Sequence, residues 1–377
     1  MKPKRILALD GGGICGVFSL MVLKKIEELF RRQHPDQPNL VLRDAFDFFA
    51  GTSTGAIIAT FLAWGMTVDE VLELYEKRGA EMFVQAPWYE RFWKAKFRAD
   101  AITRFFQEFF REDDPTHTAA LLGTRKLWAG GTPKYLLAVM RNATTGSAWP
   151  VTNNPQAKFN TPPTAPECNL NIPLWQLLRA STAAPTYFPP EEIKLGDQTH
   201  IFVDGGITPY NNPALIAVLT ATLPCYHIEW PTGWDRLQVV SVGACSVRTK
   251  LKKSKARKVY KLDFLEFIAP AFLGTVAMEQ DLLCRVLGYN VFGAELESEL
   301  GDLPGAQSGL LPSGDKKFTY MRYDKHFKAA EISAIEAETG QSFSLDNMKL
   351  IPLLHKIGAD YAEQNVKPEH LFPPGID

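Results

Sequence analysis

The sequence predicts an α/β protein, with three α/β/α layers around a mainly parallel central sheet. Three observations carry that prediction: short apolar runs at 5–9, 45–50 and 200–203 each end in a glycine-rich turn and pass into a helix-like stretch. A strand, a tight turn and a returning helix form the repeating unit of such a fold. Each turn falls at a strand's end, the edge where open sheets of this class build their sites.

The first unit runs from the strand at 5–9 through Asp10, Gly11, Gly12, Gly13, Ile14, Cys15 and Gly16 into a helix over 17–32. Val22, Ile26, Leu29 and Phe30 share one face of that helix, and Glu27–Arg31 and Glu28–Arg32 are i,i+4 pairs in the favourable order. A glycine-rich turn entering a helix exposes N–H groups beside the positive end of the helix dipole, so it suits negative charge. No Gly-Lys-Ser/Thr follows, which removes the phosphate-loop reading. The G-G-G-x-x-G spacing, without a ribose-binding acid about twenty residues on, weakens the dinucleotide reading. An oxyanion hole formed by Gly11, Gly12 and Gly13 fits better.

The second unit explains why. Gly51-Thr52-Ser53-Thr54-Gly55 places a serine in G-x-S-x-G between the run at 45–50 and a helix over 56–64. This is a nucleophile elbow, in which a sharp turn presents the hydroxyl of Ser53 and Gly51 and Gly55 leave room for the backbone. The third unit ends in Asp204-Gly205-Gly206, followed by Asn211-Asn212-Pro213 and a helix over 214–222. Asp204 therefore sits at a strand end, on the edge where such sheets build their sites. An aspartate in a turn that bonds only its own backbone is the plainer alternative.

In this order the three motifs resemble those of the patatin-like phospholipases, D-G-G-G-x-[RK]-G, G-x-S-x-G and D-G-[GA]. Residues 179–188 and 239–243 also resemble the family's helix-end segment and late strand, and the likeness extends over roughly 5–325. It implies a patatin-like fold and a lipid acyl hydrolase acting through a Ser53–Asp204 dyad, with no metal or cofactor. The family's basic residue falls on Cys15, read here as a small buried residue at a helix start. Asp10 competes for the role of base and is read as tying the glycine loop through backbone hydrogen bonds. The alternatives are a housekeeping or non-specific esterase, and a Ser–His–Asp hydrolase using His227.

A 377-residue chain with a formal charge of −1 implies no general affinity for nucleic acid. Five scattered cysteines without metal-ligand spacing suit a reducing compartment. With no signal peptide or spanning run in view, the expectation is a cytoplasmic enzyme, peripheral at the inner membrane when active. The catalytic domain is expected over 1–340, with helical insertions near 66–120 and 260–300 and a helical extension over 341–377. Aromatic and basic residues at 87–98, including Trp88 and Trp93, are candidates for contact with a phospholipid surface. The tail is similar to bacterial patatin-like effectors of antiphage signalling. That similarity implies a cyclic di- or trinucleotide activator, with the basic run at 248–261 as a candidate phosphate contact, and a homo-oligomer as a candidate assembly.

Overall fold

The computed structural model describes residues 2–82, 96–111, 119–128, 133–245, 261–296, 301 and 311–373, with side chains left undescribed at 78–82, 261–271, 273 and 313. Strand β1 (Lys4–Leu9) lies at the centre of its sheet, parallel to β2 (Phe48–Thr52) on one side. Beyond β2 runs β3 (Tyr135–Asn142), also parallel. The antiparallel part of the sheet is β4 (Ser147–Thr152), β5 (Glu191–Leu195) and β6 (Gln198–Asp204). On the other side of β1 come β7 (Leu237–Val242), β9 (Thr319–Tyr323) and, at that edge, β8 (Tyr289–Phe292), all parallel.

The central strands are apolar without interruption because both of their faces are covered. On one face Leu7, Leu9, Phe49, Val240 and Met321 join a core with α1 (Gly16–Gln33), α2 (Leu42–Ala45), α3 (Thr54–Trp64), α4 (Val68–Met82), α5 (Asp100–Phe109) and α6 (Leu174–Ser181). On the other face Ile6, Ala8, Phe48, Val239 and Tyr320 meet α7 (Ala214–Thr222) and Cys284 of α8 (Lys261–Leu287). The alternation between Ile6 and Leu7 is the period of two that sends neighbouring side chains to opposite sides. The chain closes with α9 (Ala329–Thr339), α10 (Ile351–Asn365) and α11 (Pro368–Leu371). Helix α10 lies along α1, where the rings of Phe18 and Tyr361 sit 5.1 Å apart and Gly358 meets Met21.

The expected three-layer, mainly parallel α/β architecture is present. The face of α1 predicted from Val22, Ile26, Leu29 and Phe30 is buried, and both expected ion pairs form. One strand starts later than expected: 45–50 was the apolar run, but pairing begins at Phe48. The helical turn α2 accounts for the delay: it takes up Leu42–Ala45 and closes with the Phe46 N–H donating to Leu42 O at 3.0 Å, so the chain becomes extended only after it, with Asp47 N–H already donating to Arg5 O at 2.9 Å. No helix among the described residues is long and apolar enough to cross a membrane.

Candidate active site

Two strands meeting end to end build the site. One edge of β3 pairs with β4 over 137–142, and its other edge is shared. First β2 takes that edge, with Thr52 opposite Val139; then β6 arrives from the opposite direction, with Asp204 opposite Met140. The residue after β2 and the last residue of β6 are therefore neighbours, and the Ser53 hydroxyl donates to Asp204 Oδ2 at 2.7 Å.

The turn that presents Ser53 is strained: φ is 53° and ψ −123°, a region that side chains rarely occupy. The surroundings fix it there. Ser53 N–H donates to Ser181 Oγ at 3.0 Å, while the Ser181 hydroxyl donates to the Val139 carbonyl at 2.6 Å. A Cβ on Gly51 would lie 2.2 Å from the Gly55 carbonyl oxygen, and one on Gly55 would lie 2.2 Å from that of Leu9. Only glycine fits at either place. Helix α3 starts at Thr54, so its positive end adjoins the serine.

Asp204 is buried. Its Oδ1 accepts the Gly206 N–H at 2.7 Å, and no cationic side chain pairs with it among the described residues. Burial pushes its carboxyl up to about 6, against the opposing pull of the bonds from Ser53 and Gly206.

The glycine loop lies against this pair. A Cβ on Gly11 would sit 3.1 Å from Ser53 Cβ; one on Gly12 would sit 2.4 Å from Ala244 Cβ. Gly13 has φ +57°, and its added Cβ would fall 2.3 Å from the Leu345 carbonyl oxygen. Gly11 N–H donates to Asn211 O over a long 3.3 Å, and Ile14 N–H donates to Leu345 O at 2.9 Å. Among the described residues nothing accepts from the N–H of Gly12 or Gly13.

Asp10 departs from its sequence reading. Its carboxylate does not bond the loop backbone but faces inward, taking Arg322 in a two-bond grip at 3.0 and 2.6 Å. Cys15 is buried at the start of α1 with its thiol beside that of Cys245. His227 is exposed, past the far end of α7, and bonds neither Ser53 nor Asp204. The aromatic–basic segment at 87–98 is described only from Lys96 on, so Trp88 and Trp93 lie outside the described residues. So does the basic run at 248–261, apart from the backbone of Lys261.

Three contributors had no role assigned from sequence. Ser181 stood within the segment at 179–188, and Arg322 lies on β9. An arginine in the apolar run at 318–323 is itself a signal, because a buried cation needs partners. Leu345 gave no signal. It is brought to the loop by a segment whose Asp346 pairs with Lys96.

A strained serine on a strand-to-helix turn, touching a buried carboxylate beside unclaimed N–H groups, defines a site of the serine-hydrolase class. Residues 7–218 match the family described as patatin-like phospholipase, and the chain belongs to that family. Among curated relatives it is 32% identical over 228 residues to calcium-independent phospholipase A2-gamma of Rattus norvegicus, covering 57% of this chain and 26% of that protein. It is 28% identical to a cGAMP-activated phospholipase of Escherichia coli, covering 58% and 56%. A third relative, a cGAMP-activated phospholipase of Vibrio cholerae, is 30% identical over 57% and 56%. The chain therefore spans between a quarter and somewhat over half of these relatives' lengths.

Proposed function

We propose that this protein hydrolyses acyl esters of membrane glycerophospholipids, with Ser53 as nucleophile and Asp204 as its base. The 2.7 Å bond from Ser53 Oγ to Asp204 Oδ2 is the observation that carries the reading. Asp204 takes the hydroxyl proton as Ser53 Oγ attacks the ester carbonyl. It then returns that proton to the leaving alkoxide of the lysolipid, which leaves an acyl-serine. Water gives a proton to Asp204 and attacks the acyl group, and the fatty acid departs as Ser53 regains its hydrogen. The N–H groups of Gly12 and Gly13, with that of Gly11 once its long bond to Asn211 yields, receive the charge on the carbonyl oxygen. Each such donor contributes roughly 3 kcal/mol in the transition state.

A carboxyl near 6 suits this task. It is ionised at neutral pH yet a stronger base than a solvated aspartate. The reading also includes a switch. Two relatives are named as cGAMP-activated, which supports a cyclic oligonucleotide as the activator and a membrane-peripheral working state. The test is fatty-acid release from phospholipid vesicles, with and without a panel of cyclic di- and trinucleotides. Release that disappears in Ser53→Ala and rises with one nucleotide supports both parts. Release retained in Ser53→Ala sinks the chemistry, and full release unchanged across the panel sinks the switch.

A further inference from the structure

The glycine loop has few means of holding its own shape. Its three glycines have no side chains to pack, and between Asp10 and Ile14 its backbone donates only the long bond to Asn211. Yet donors for an oxyanion help only if they are already in place when charge develops. The loop must therefore be fixed from its two ends. At one end Leu345 O receives the Ile14 N–H, and at the other Asp10 is the anchor.

Asp10 N–H donates to Val242 O at 3.1 Å, extending the β1–β7 ladder by one residue, and the side chain then reaches Arg322 on β9. Arg322 is the hub of a buried ionic cluster. Its guanidinium also donates to Ser241 Oγ at 2.7 Å and Asp324 Oδ2 at 3.0 Å, and its Nε lies 3.8 Å from Asp281 Oδ2. Asp281 is in turn held by Arg285 at 2.8 Å and by the Tyr320 hydroxyl at 3.0 Å. Among the described residues three carboxylates thus share two guanidiniums, and of these two only Arg322 touches the carboxylate next to the loop. Both Arg322 and the strand that bears it lie outside the 7–218 segment that matches the family.

We propose that Arg322 is a positioning residue for ester hydrolysis: its two-bond grip on Asp10 sets the peptide planes of Gly11, Gly12 and Gly13 against the Ser53 elbow. This rests on the Ser53–Asp204 chemistry proposed above. The guanidinium fork matters because two parallel bonds fix an orientation, whereas an ammonium supplies one charge without it. A displacement of about 1 Å in donors of this kind lowers turnover by roughly a hundredfold.

The test uses a short soluble ester, so membrane binding does not enter. Arg322→Lys should lower kcat about tenfold or more with KM within about twofold, and should slow capture of Ser53 by a fluorophosphonate in parallel. Asp10→Asn should lower kcat similarly. Adding Arg322→Lys to Asp10→Asn should cost little more, because the two act through one contact. The double variant Asp10→Asn/Arg322→Gln removes one charge of each sign, so the cluster keeps its net charge, and the question stays open to measurement should Arg322→Gln alone not fold. A buried carboxylate elsewhere provides the stability control. Glu27→Ala removes bonds to Arg31 and to the Leu42 and Val68 N–H groups. It should lower the melting temperature and leave kcat within about twofold.

The acid limb of kcat is a further readout. Asp10 is faced by Arg322 from β9 and Asp324 just past its end, by Asp281 and Cys284 from α8, and by Ser241 from β7. Burial and the neighbouring acids push its carboxyl up to about 6, while Arg322 pulls it down. Loosening Arg322 should therefore move the limb to higher pH, and Asp10→Asn should abolish that movement. A kcat unchanged in Arg322→Lys while Ser53→Ala is dead would overturn this inference and spare the chemistry. So would a loss fully additive with Asp10→Asn. Ester turnover that survives Ser53→Ala would overturn both.

Discussion

The chain contains Asp-Gly-Gly twice, each time at the end of a strand, and makes opposite use of the two. Asp10 ends β1 and Asp204 ends β6; both are buried, and burial pushes both carboxyls up to about 6. The difference lies in what each faces. Asp10 points into the ionic cluster, where burial alone would lower the Arg322 guanidinium but Asp10 and Asp324 outweigh it, holding Arg322 well above its usual range. The cost of burying Asp10 is offset in part by its partner. Asp204 meets only a serine hydroxyl and one backbone N–H, so no cation offsets its burial. On the proposed reading the carboxylate with a cation is the anchor and the one without is the base.

Replacing each aspartate in turn sharpens the contrast most. Asp204→Asn should lower ester turnover by a factor of about 10⁴, since the serine then has no acceptor for its proton. It should also stabilise the fold at neutral pH. The sign follows from linkage: the folded carboxyl lies about two pH units above its unfolded value, so its contribution is fully present below the unfolded value and lost as pH rises through 6. Asparagine removes that loss, worth up to roughly 3 kcal/mol at pH 7.5. Melting curves at pH 7.5 and pH 4 check this: Asp204→Asn should melt higher than the parent at pH 7.5, and the gap should close at pH 4. Equal melting at both would mean that Asp204 is not an uncompensated buried charge. Asp10→Asn, by contrast, should cost turnover only about tenfold.

The two glycine pairs differ as the two aspartates do. Gly205 is packed against Val139, where a Cβ would lie 2.2 Å from the carbonyl oxygen, so it is required for closure. Gly12 has an unclaimed N–H as well as a crowded Cβ position. Gly12→Ala should push the loop off Ala244 and lower kcat about a hundredfold, with KM less affected. A kcat loss under threefold in a folded Gly12→Ala would remove this loop from the oxyanion role.

Much of this pairing is legible in the sequence, because it is local. Ser53, Asp204 and the loop at 11–13 each sit where an apolar run meets glycines, and the turn itself dictates that placement. The grip on Asp10 was not legible. It joins residues 312 positions apart, and nothing near Asp10 indicates whether its carboxylate bonds the loop or turns inward. The start of β2 was misplaced because the short turn α2 takes up residues as far as Ala45, and nothing in the apolar run at 45–50 marks where that turn ends. Ser181 shows the same limit. Its hydroxyl connects the elbow to β3, a partnership set by the sheet and not by its own segment.

The pH profile offers a finer test of the comparison. Turnover of a soluble ester should be level above about pH 7 and fall tenfold or more per unit just below 6, as Asp204 takes the proton it must leave vacant and protonation of Asp10 loosens its grip on Arg322. A limb near 4 would mean that the site is wetter than its burial implies, with Asp204 behaving as an ordinary carboxylate.

The smallest effects are expected where the sequence offered other candidates. His227 stands exposed beyond α7, and His227→Ala should leave turnover within about twofold; a loss as deep as that of Ser53→Ala would restore the triad reading. Cys15 holds the position where the family has a basic residue, but its thiol is buried beside Cys245. Cys15→Ser keeps a side chain of similar size and trades a weak donor for a stronger one, so the melting temperature should drop slightly while kcat stays within about threefold. Steering an anion into the loop then falls to the backbone N–H groups and to the N-terminal end of α1, which need no charged side chain. A kcat loss of tenfold or more in Cys15→Ser, with the fold intact, would show that the thiol takes part in holding the loop.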